Sequence, residues 1–152
     1  MSYVEKTLQP GETLVYQTTL HWIVFVGPAL TILAGIAVYI YAGRITTLTT
    51  VVSAAGLALI LLGAVTAVSV WIKYISTEMA ITNRRVIAKV GFVWRRTIEM
   101  ERQKVESVSV DQSILGRILG YGTVIVRGTG STLEPMTNID EPMEFRSKLL
   151  AG

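Results

Sequence analysis

Two long stretches without a charged residue constrain this chain more than any other feature. Trp22–Ala42 and Leu48–Ile72 contain no Lys, Arg, Asp or Glu, and each is longer than 20 residues. About 20 apolar residues, at a rise of about 1.5 Å per residue, span the hydrocarbon core of a bilayer. Because only residues 43–47 separate the two stretches, we predict an antiparallel transmembrane hairpin with helices at about 22–42 and 48–72.

The charge of the chain predicts how this hairpin is oriented. The formal net charge is +3, and from Lys73 onward there are twelve basic and nine acidic residues, so the whole excess lies after the hairpin. The loop between the helices carries only Arg44. Since loops rich in Lys and Arg stay in the cytoplasm, we predict a multi-pass protein of the cell (inner or plasma) membrane with both termini and the C-terminal domain cytoplasmic.

Side chains suited to the membrane interface stand at the ends of the predicted helices. Trp and Tyr rings settle at headgroup level, and a lysine can extend its ammonium group to water. Within the spans, Ala54/Ala58 and Gly63/Ala67 are pairs of small residues that let helices approach closely, either within the hairpin or against another membrane subunit. The predicted interface anchors are Trp22, Tyr39, Tyr41, Trp71, Lys73 and Tyr74.

The rest of the chain has the pattern of short strands. Residues 1–20 predict one strand around Leu14–Tyr16, with the domain after the hairpin as its natural partner. Alternating apolar residues and turn residues then predict strands at about 77–82, 85–90, 92–100, 104–110 and 122–127, with a helical turn at 113–120. Phe145 and Leu149, four residues apart, predict a short capping helix. We therefore divide the chain into an N-terminal strand segment (1–20), the hairpin (21–74) and an antiparallel β-sandwich or barrel (75–152).

Several motifs support a family resemblance. They are Leu8-x-Pro10-Gly11-Glu12, Thr82-Asn83-Arg84-Arg85-Val86-Ile87, and the run from Leu115 to Val124, which reads Leu-Gly-Arg-Ile-Leu-Gly-Tyr-Gly-Thr-Val. With these motifs nearly the whole chain resembles the bacterial pleckstrin-homology-like (PH-like) membrane proteins that carry a helical hairpin ahead of the domain. The resemblance implies two roughly orthogonal antiparallel sheets with a C-terminal helix over one barrel end. It implies a fold and a location, and no reaction.

The densest basic group follows the second helix. Its members can attract anionic headgroups, at about 1 kcal/mol for each basic residue near the surface, or they can form an ordinary solvated face that also enforces topology. Two aromatic residues near a predicted turn either contact the membrane or a partner, or belong to the core. The resulting predicted lipid- or partner-binding set is Arg84, Arg85, Lys89, Phe92, Trp94, Arg95 and Arg96.

The chain offers no pattern for catalysis, for a metal or for a cofactor. It has no Cys, and His21 is its only histidine, which we interpret as an interfacial polar residue beside Trp22. The glycine groups do not match a phosphate-binding motif, and the basic residues lack the interleaved aromatics of a nucleic-acid surface. We therefore predict no catalytic residue, no nucleic acid and no small-molecule substrate.

These observations predict a binding protein rather than an enzyme. The first hypothesis is a scaffold or accessory subunit of a membrane assembly, with a protein partner or a homo-oligomer in the membrane. The alternative is an anionic-lipid sensor whose partners are membrane lipids. A membrane enzyme is disfavoured by the missing catalytic groups, and a transporter subunit by two helices without an ionisable residue at membrane depth.

Overall fold

The computed structural model describes residues 4, 7–44, 49–91, 96–129, 131–132 and 135–151. The chain divides into two compact units. One unit combines Met1–His21 with Lys73–Gly152, and the other is Trp22–Ile72. The first unit, here called the β domain, is therefore built from two separate parts of the chain, and the hairpin is inserted between its first and second strands.

The hairpin consists of a 3-10 turn (Trp22–Phe25), α1 (Val26–Ala42) and α2 (Thr49–Ser76). Both helical segments, Trp22–Ala42 and α2, are long and apolar enough to cross a membrane. Few of their residues are buried, unlike those of a core helix in a globular domain. α2 continues to Ser76, beyond the predicted end at 72, because no Gly or Pro interrupts it there.

Glycines bring the two hairpin helices into close contact. A Cβ built at Gly56 would lie only 2.7 Å from the backbone nitrogen of Tyr39, so a larger residue would separate the helices. By contrast, Ala54 and Ala58 are exposed, and this pair is therefore not part of the contact within the hairpin. The buried glycines at the helix contact are Gly35, Gly56 and Gly63.

The β domain contains two antiparallel sheets. The first has the order β1-β2-β3-β4, formed by Leu14–Thr19, Glu78–Thr82, Arg85–Val90 and Arg96–Glu101. The second contains β5 (Val105–Asp111), β6 (Tyr121–Gly128), β7 (Ser131–Thr132) and β8 (Met136–Asp140), and β6 pairs with the other three strands. A short helix, α3 (Ile114–Leu119), connects β5 to β6, and α4 (Pro142–Leu150) ends the domain. This confirms the two sheets and the C-terminal helix that the resemblance implies.

β7 and β8 were not predicted from the sequence. In β8 the buried residues are Met136 and Ile139, three apart, so the strand lacks the alternation that marks a half-buried strand. Its Asn138 has a positive φ of 57°, which interrupts regular strand geometry. β8 nevertheless connects the sheets, because Ile139 forms an isolated bridge with Leu20.

The core lies between the sheets and is covered by α4. Phe145 and Leu149 are both buried, which confirms the predicted apolar face of the C-terminal helix. Tyr16 from β1 meets the Phe145 ring edge-on, with 6.3 Å between the ring centroids. Burial, together with the carboxylates of Glu144, Glu141 and Asp140, raises the pKa of Tyr16 to about 12, so its hydroxyl stays neutral. Other core residues are Met79, Ile81, Val86, Val124, Val126 and Ile139.

A buried ion pair ties the N-terminal segment to the second and third strands. The Glu12 side chain is fully buried, and Arg85 donates to both of its oxygens, from Nε at 2.9 Å and from Nη2 at 2.8 Å. The Thr82 hydroxyl and the backbone N–H of Gln9 also donate to this carboxylate, at 2.7 and 2.8 Å. Arg85 reaches further, to the carbonyl of Thr7 and to the carboxylate of Glu99. Both carboxylate oxygens of Glu12 thus accept hydrogen bonds, as a buried carboxylate requires.

Asn83 extends this connection along the β2–β3 turn. Its side-chain oxygen accepts from the backbone N–H of Thr13 at 3.0 Å, and its amide donates to the carbonyl of Gly11 at 3.3 Å. The backbone N–H of Asn83 also donates to the Thr13 carbonyl. Two motifs far apart in the sequence, Pro10-Gly11-Glu12 and Thr82-Asn83-Arg84-Arg85, therefore bind each other. We call this contact the Glu12 clamp.

The Glu12 clamp predicts how stability depends on pH. Burial alone raises the pKa of Glu12, but the hydrogen bond from Arg85 and those from Gln9 and Thr82 outweigh it and lower the pKa from 4.5 to about 2. Because the folded pKa is the lower one, the stabilisation is complete above about pH 4.5 and is lost as the pH falls towards 2. The difference corresponds to ~3 kcal/mol. We expect Glu12→Gln to lower the free energy of unfolding by about that amount at pH 7 and to flatten the loss of stability at acid pH.

The measurement is thermal or denaturant unfolding of the full chain in detergent at pH 7, 4.5 and 3. Glu101→Gln is the matched control, since its carboxylate lies 3.0 Å from Lys104 Nζ in an exposed pair worth under about 1 kcal/mol. Equal unfolding curves for wild type and Glu12→Gln at pH 7 would show that the clamp does not hold the β domain together.

Candidate functional site

The predicted basic group is divided between two ends of the first sheet. Arg84 and Arg85 lie at the β2–β3 turn, where β3 begins. Arg96 is paired with Val90, where β3 ends. The six residues of β3, at about 3.3 Å each, put roughly 17 Å between these ends. These cations therefore do not form one patch. Phe92, Trp94 and Arg95 of the same predicted set lie outside the described residues.

The members of the set also differ in which groups lie near their charged side chains. The guanidinium of Arg85 pairs with Glu12 and Glu99 inside the β domain, and the hydrogen bond that it donates to Glu12 raises its pKa further. Arg84 is exposed beside the β2–β3 turn. Lys89 stands opposite Glu78 in the register of β2 and β3. Arg96 lines a cavity at the opposite end of β3 from Arg84 and Arg85.

A cavity of about 220 Å³ lies at the Arg96 end of the β domain. Two cationic side chains, from Lys73 and Arg96, line it, and no acidic residue is among its described lining. We call it the Lys73 cavity. Most of its wall is apolar and includes Leu20, Ala88, Ile98 and Met136.

Thr77 gives the Lys73 cavity an unusual polar group. The residue is 2% exposed, and its hydroxyl has no hydrogen-bond partner in the described part of the chain. An unpaired buried hydroxyl costs about 1–3 kcal/mol, and native proteins contain few of them. A ligand in the cavity would supply the missing partner. Sequence reasoning did not single out Thr77, because nothing in its local pattern distinguishes it from other strand threonines.

Two residues that line the Lys73 cavity adjoin the hairpin in the sequence. Leu20 stands two residues before Trp22, where the first apolar segment begins. Lys73 follows directly after Ile72, the last residue of the other unit. The cavity is therefore lined by residues from the points where the chain leaves the β domain and returns to it.

The predicted interface anchors differ in how exposed their side chains are. Four aromatic side chains are more than half exposed, and Lys73 is exposed while also lining the cavity. Tyr74 differs, because it is half-buried and packs against the core of the β domain. The four exposed aromatic anchors are Trp22, Tyr39, Tyr41 and Trp71.

His21 is not the interfacial residue that the sequence suggested. It is 6% exposed, and its ring stacks at a tilt on Tyr121, with 5.3 Å between the ring centroids. Its backbone N–H donates to the carbonyl of Asn138, and Nε2 lies 3.9 Å from a carboxylate oxygen of Asp140. The interpretation was wrong because the strand pairing around Leu20 extends to His21 and draws it into the β domain.

The lining of the Lys73 cavity combines charged, polar and apolar groups. The Lys73 cavity offers two positive charges, the hydroxyl groups of Thr77 and Thr137 and an apolar wall, which together suit an anion attached to an apolar group. In the described part of the chain, no three His, Asp or Glu side chains come together as a metal would require.

One comparison with known proteins identifies a family. The family model described as Bacterial PH domain matches residues 22–152. The match begins at Trp22, so β1 and Glu12 precede it. No curated protein and no solved structure matches the chain.

Proposed function

Because the chain belongs to the bacterial PH domain family, we propose that it is a membrane-anchored module that binds anionic phospholipid headgroups at the Lys73 cavity. PH-like domains are generally non-catalytic modules that bind lipids or proteins. The observation that carries the proposal is the buried hydroxyl of Thr77, which lacks a partner among the residues that the structure describes and lies beside two cationic side chains. A phosphate oxygen would accept from this hydroxyl while the cations offset its charge.

The proposed placement follows from the hairpin. Both helices span the membrane, and both termini face the cytoplasm, where the leaflet surface is anionic. Lys73 stands directly after the second span, so its ammonium group is within reach of headgroups. The apolar wall of the cavity accommodates the glycerol and first carbons of a lipid. A soluble phosphate ester offers the same charge without this apolar part.

The first test removes the hydroxyl without changing the shape of the side chain. We expect Thr77→Val to lower the affinity for phosphatidylglycerol about tenfold, as the loss of a charge-assisted hydrogen bond predicts. The fold should be unaffected, since a methyl group replaces a hydroxyl that has no hydrogen-bond partner among the described residues. Lys73→Gln, at an exposed position, should also weaken binding and make it less sensitive to salt. Native mass spectrometry of the full chain in detergent, titrated with phosphatidylglycerol or phosphatidylcholine, measures both effects.

Lys104→Gln is the matched control, because it removes the same charge from an exposed position that does not line the cavity. Glycerol 3-phosphate, titrated in parallel, distinguishes a soluble phosphate ester from a lipid. If Thr77→Val and Lys73→Gln bind phosphatidylglycerol as tightly as Lys104→Gln does, the cavity is not a headgroup site.

A second candidate function is assembly with other membrane helices. The hairpin contact uses buried glycines and leaves the Ala54/Ala58 pair of α2 on the outside. Exposed small residues four apart let another helix approach closely. This observation supports the scaffold or accessory-subunit hypothesis, with a second copy or another membrane protein against this face.

If the chain assembles through the outer face of α2, larger side chains on that face should weaken the assembly. We expect the double variant Ala54→Leu, Ala58→Leu to shift the purified chain to a smaller species, because leucines would keep a neighbouring helix at a distance. Ala64→Leu, at another exposed alanine of the same helix, is the control. Light scattering after size-exclusion chromatography measures the mass. An unchanged mass for the double variant would remove this face as an assembly contact.

A further inference from the structure

The short helix α3 has an apolar face that the β domain leaves uncovered. Ile114 is 80% exposed, Leu115 63% and Ile118 74%. These residues occupy positions i, i+1 and i+4, which lie on one side of a helix. Within α3 only Gly116 is buried. Large apolar side chains grouped in this way on a water-soluble surface mark an interaction site.

The exposure of this face is not the result of loose local structure. The Ser113 side chain caps the helix by accepting from the backbone N–H of Gly116 at 3.0 Å. Gly120 ends the helix in the left-handed conformation, with φ of 82°, and donates to the Gly116 carbonyl. A Cβ at Gly116 would lie 2.6 Å from the carbonyl oxygen of Tyr121, so the helix packs closely on β6. The fold therefore accounts for the glycines of this motif and not for its apolar residues.

Contacts within the β domain link α3 to His21, the residue before the first apolar segment. Tyr121 follows α3 by two residues and stacks on His21. The Gln112 side chain, just before the helix, donates to the Tyr121 carbonyl at 3.0 Å. His21 in turn directly precedes Trp22, where the first apolar segment begins. α3 is thus attached to the part of the β domain from which the chain enters the hairpin.

We propose that α3 inserts its apolar face into the headgroup region of the bilayer that the hairpin crosses. Ile114, Leu115 and Ile118 would lie at the acyl boundary, as in other interfacial amphipathic helices. Arg117, the one charged residue of α3, is exposed and suits a phosphate group at the same depth. This contact rests on the membrane anchoring proposed above but does not require the Lys73 cavity.

The absence of cysteine from the chain permits a clean test. Single substitutions Ile118→Cys, Val65→Cys and Lys104→Cys are each labelled with an environment-sensitive fluorophore in the full chain. The proteins are reconstituted in nanodiscs of neutral lipid with or without brominated acyl chains. Val65, exposed on α2, reports on the span, and Lys104, exposed between β4 and β5, reports on water.

We expect brominated lipid to quench the Ile118 probe at least about threefold more than the Lys104 probe, and less than the Val65 probe, as a shallow depth requires. A quenched Val65 probe with an Ile118 probe that behaves like Lys104 would overturn the insertion of α3 while leaving the hairpin in the membrane. If Val65 is not quenched, the anchoring itself fails. Protection of Ile118 in native membranes but not in nanodiscs would assign this face to a protein partner instead, and would also overturn the proposal.

Discussion

The β domain depends on the buried ion pair between Glu12 and Arg85. This domain is interrupted in the sequence, because its first strand precedes the hairpin and its other strands follow it. Bringing the two parts together costs chain entropy that grows with the length of the loop between them, although only slowly. The Glu12 clamp offsets that cost with a bidentate ion pair and two further hydrogen bonds to one carboxylate. A fully satisfied buried pair of this kind also specifies one register between β1 and β2, since a shifted strand would leave a charge unpaired.

The clamp explains how much of the structure the sequence could predict. The hairpin follows from composition alone, and most strands follow from alternation, because both depend on local patterns of burial. The partners of Glu12 could not be predicted, since Thr82 and Arg85 are about 70 residues away and the chain has many other cations. The same limit explains the basic group, whose members are close together in sequence, while its described members at the two ends of β3 are separated in space by the length of that strand. His21 was misjudged because its place depends on Tyr121, a tertiary contact, and not on its neighbour Trp22.

The motifs that support the family resemblance divide into residues that the fold requires and residues that it does not. Glu12, Asn83 and Arg85 hold the N-terminal segment, and Gly116 and Gly120 let α3 pack on β6. These positions have sufficient structural reasons. The hydroxyl of Thr77 and the exposed side chains of α3 reduce the stability of an isolated β domain, because one is buried without a partner in the described part of the chain and the others contact water. We expect interactions with other molecules at features that lower stability and bring no structural benefit.

The proposed anchoring by the hairpin changes how much binding free energy such interactions must supply. A soluble headgroup-binding domain must overcome the loss of translational and rotational freedom each time it reaches a membrane. A domain tethered by two spans is already at the surface, so even weak contacts act at a high effective concentration of lipid. Under this tether the Lys73 cavity and α3 need not provide affinity. They would instead determine which lipid is bound and how the β domain is oriented, and orientation in turn decides which of its surfaces remain available to a partner.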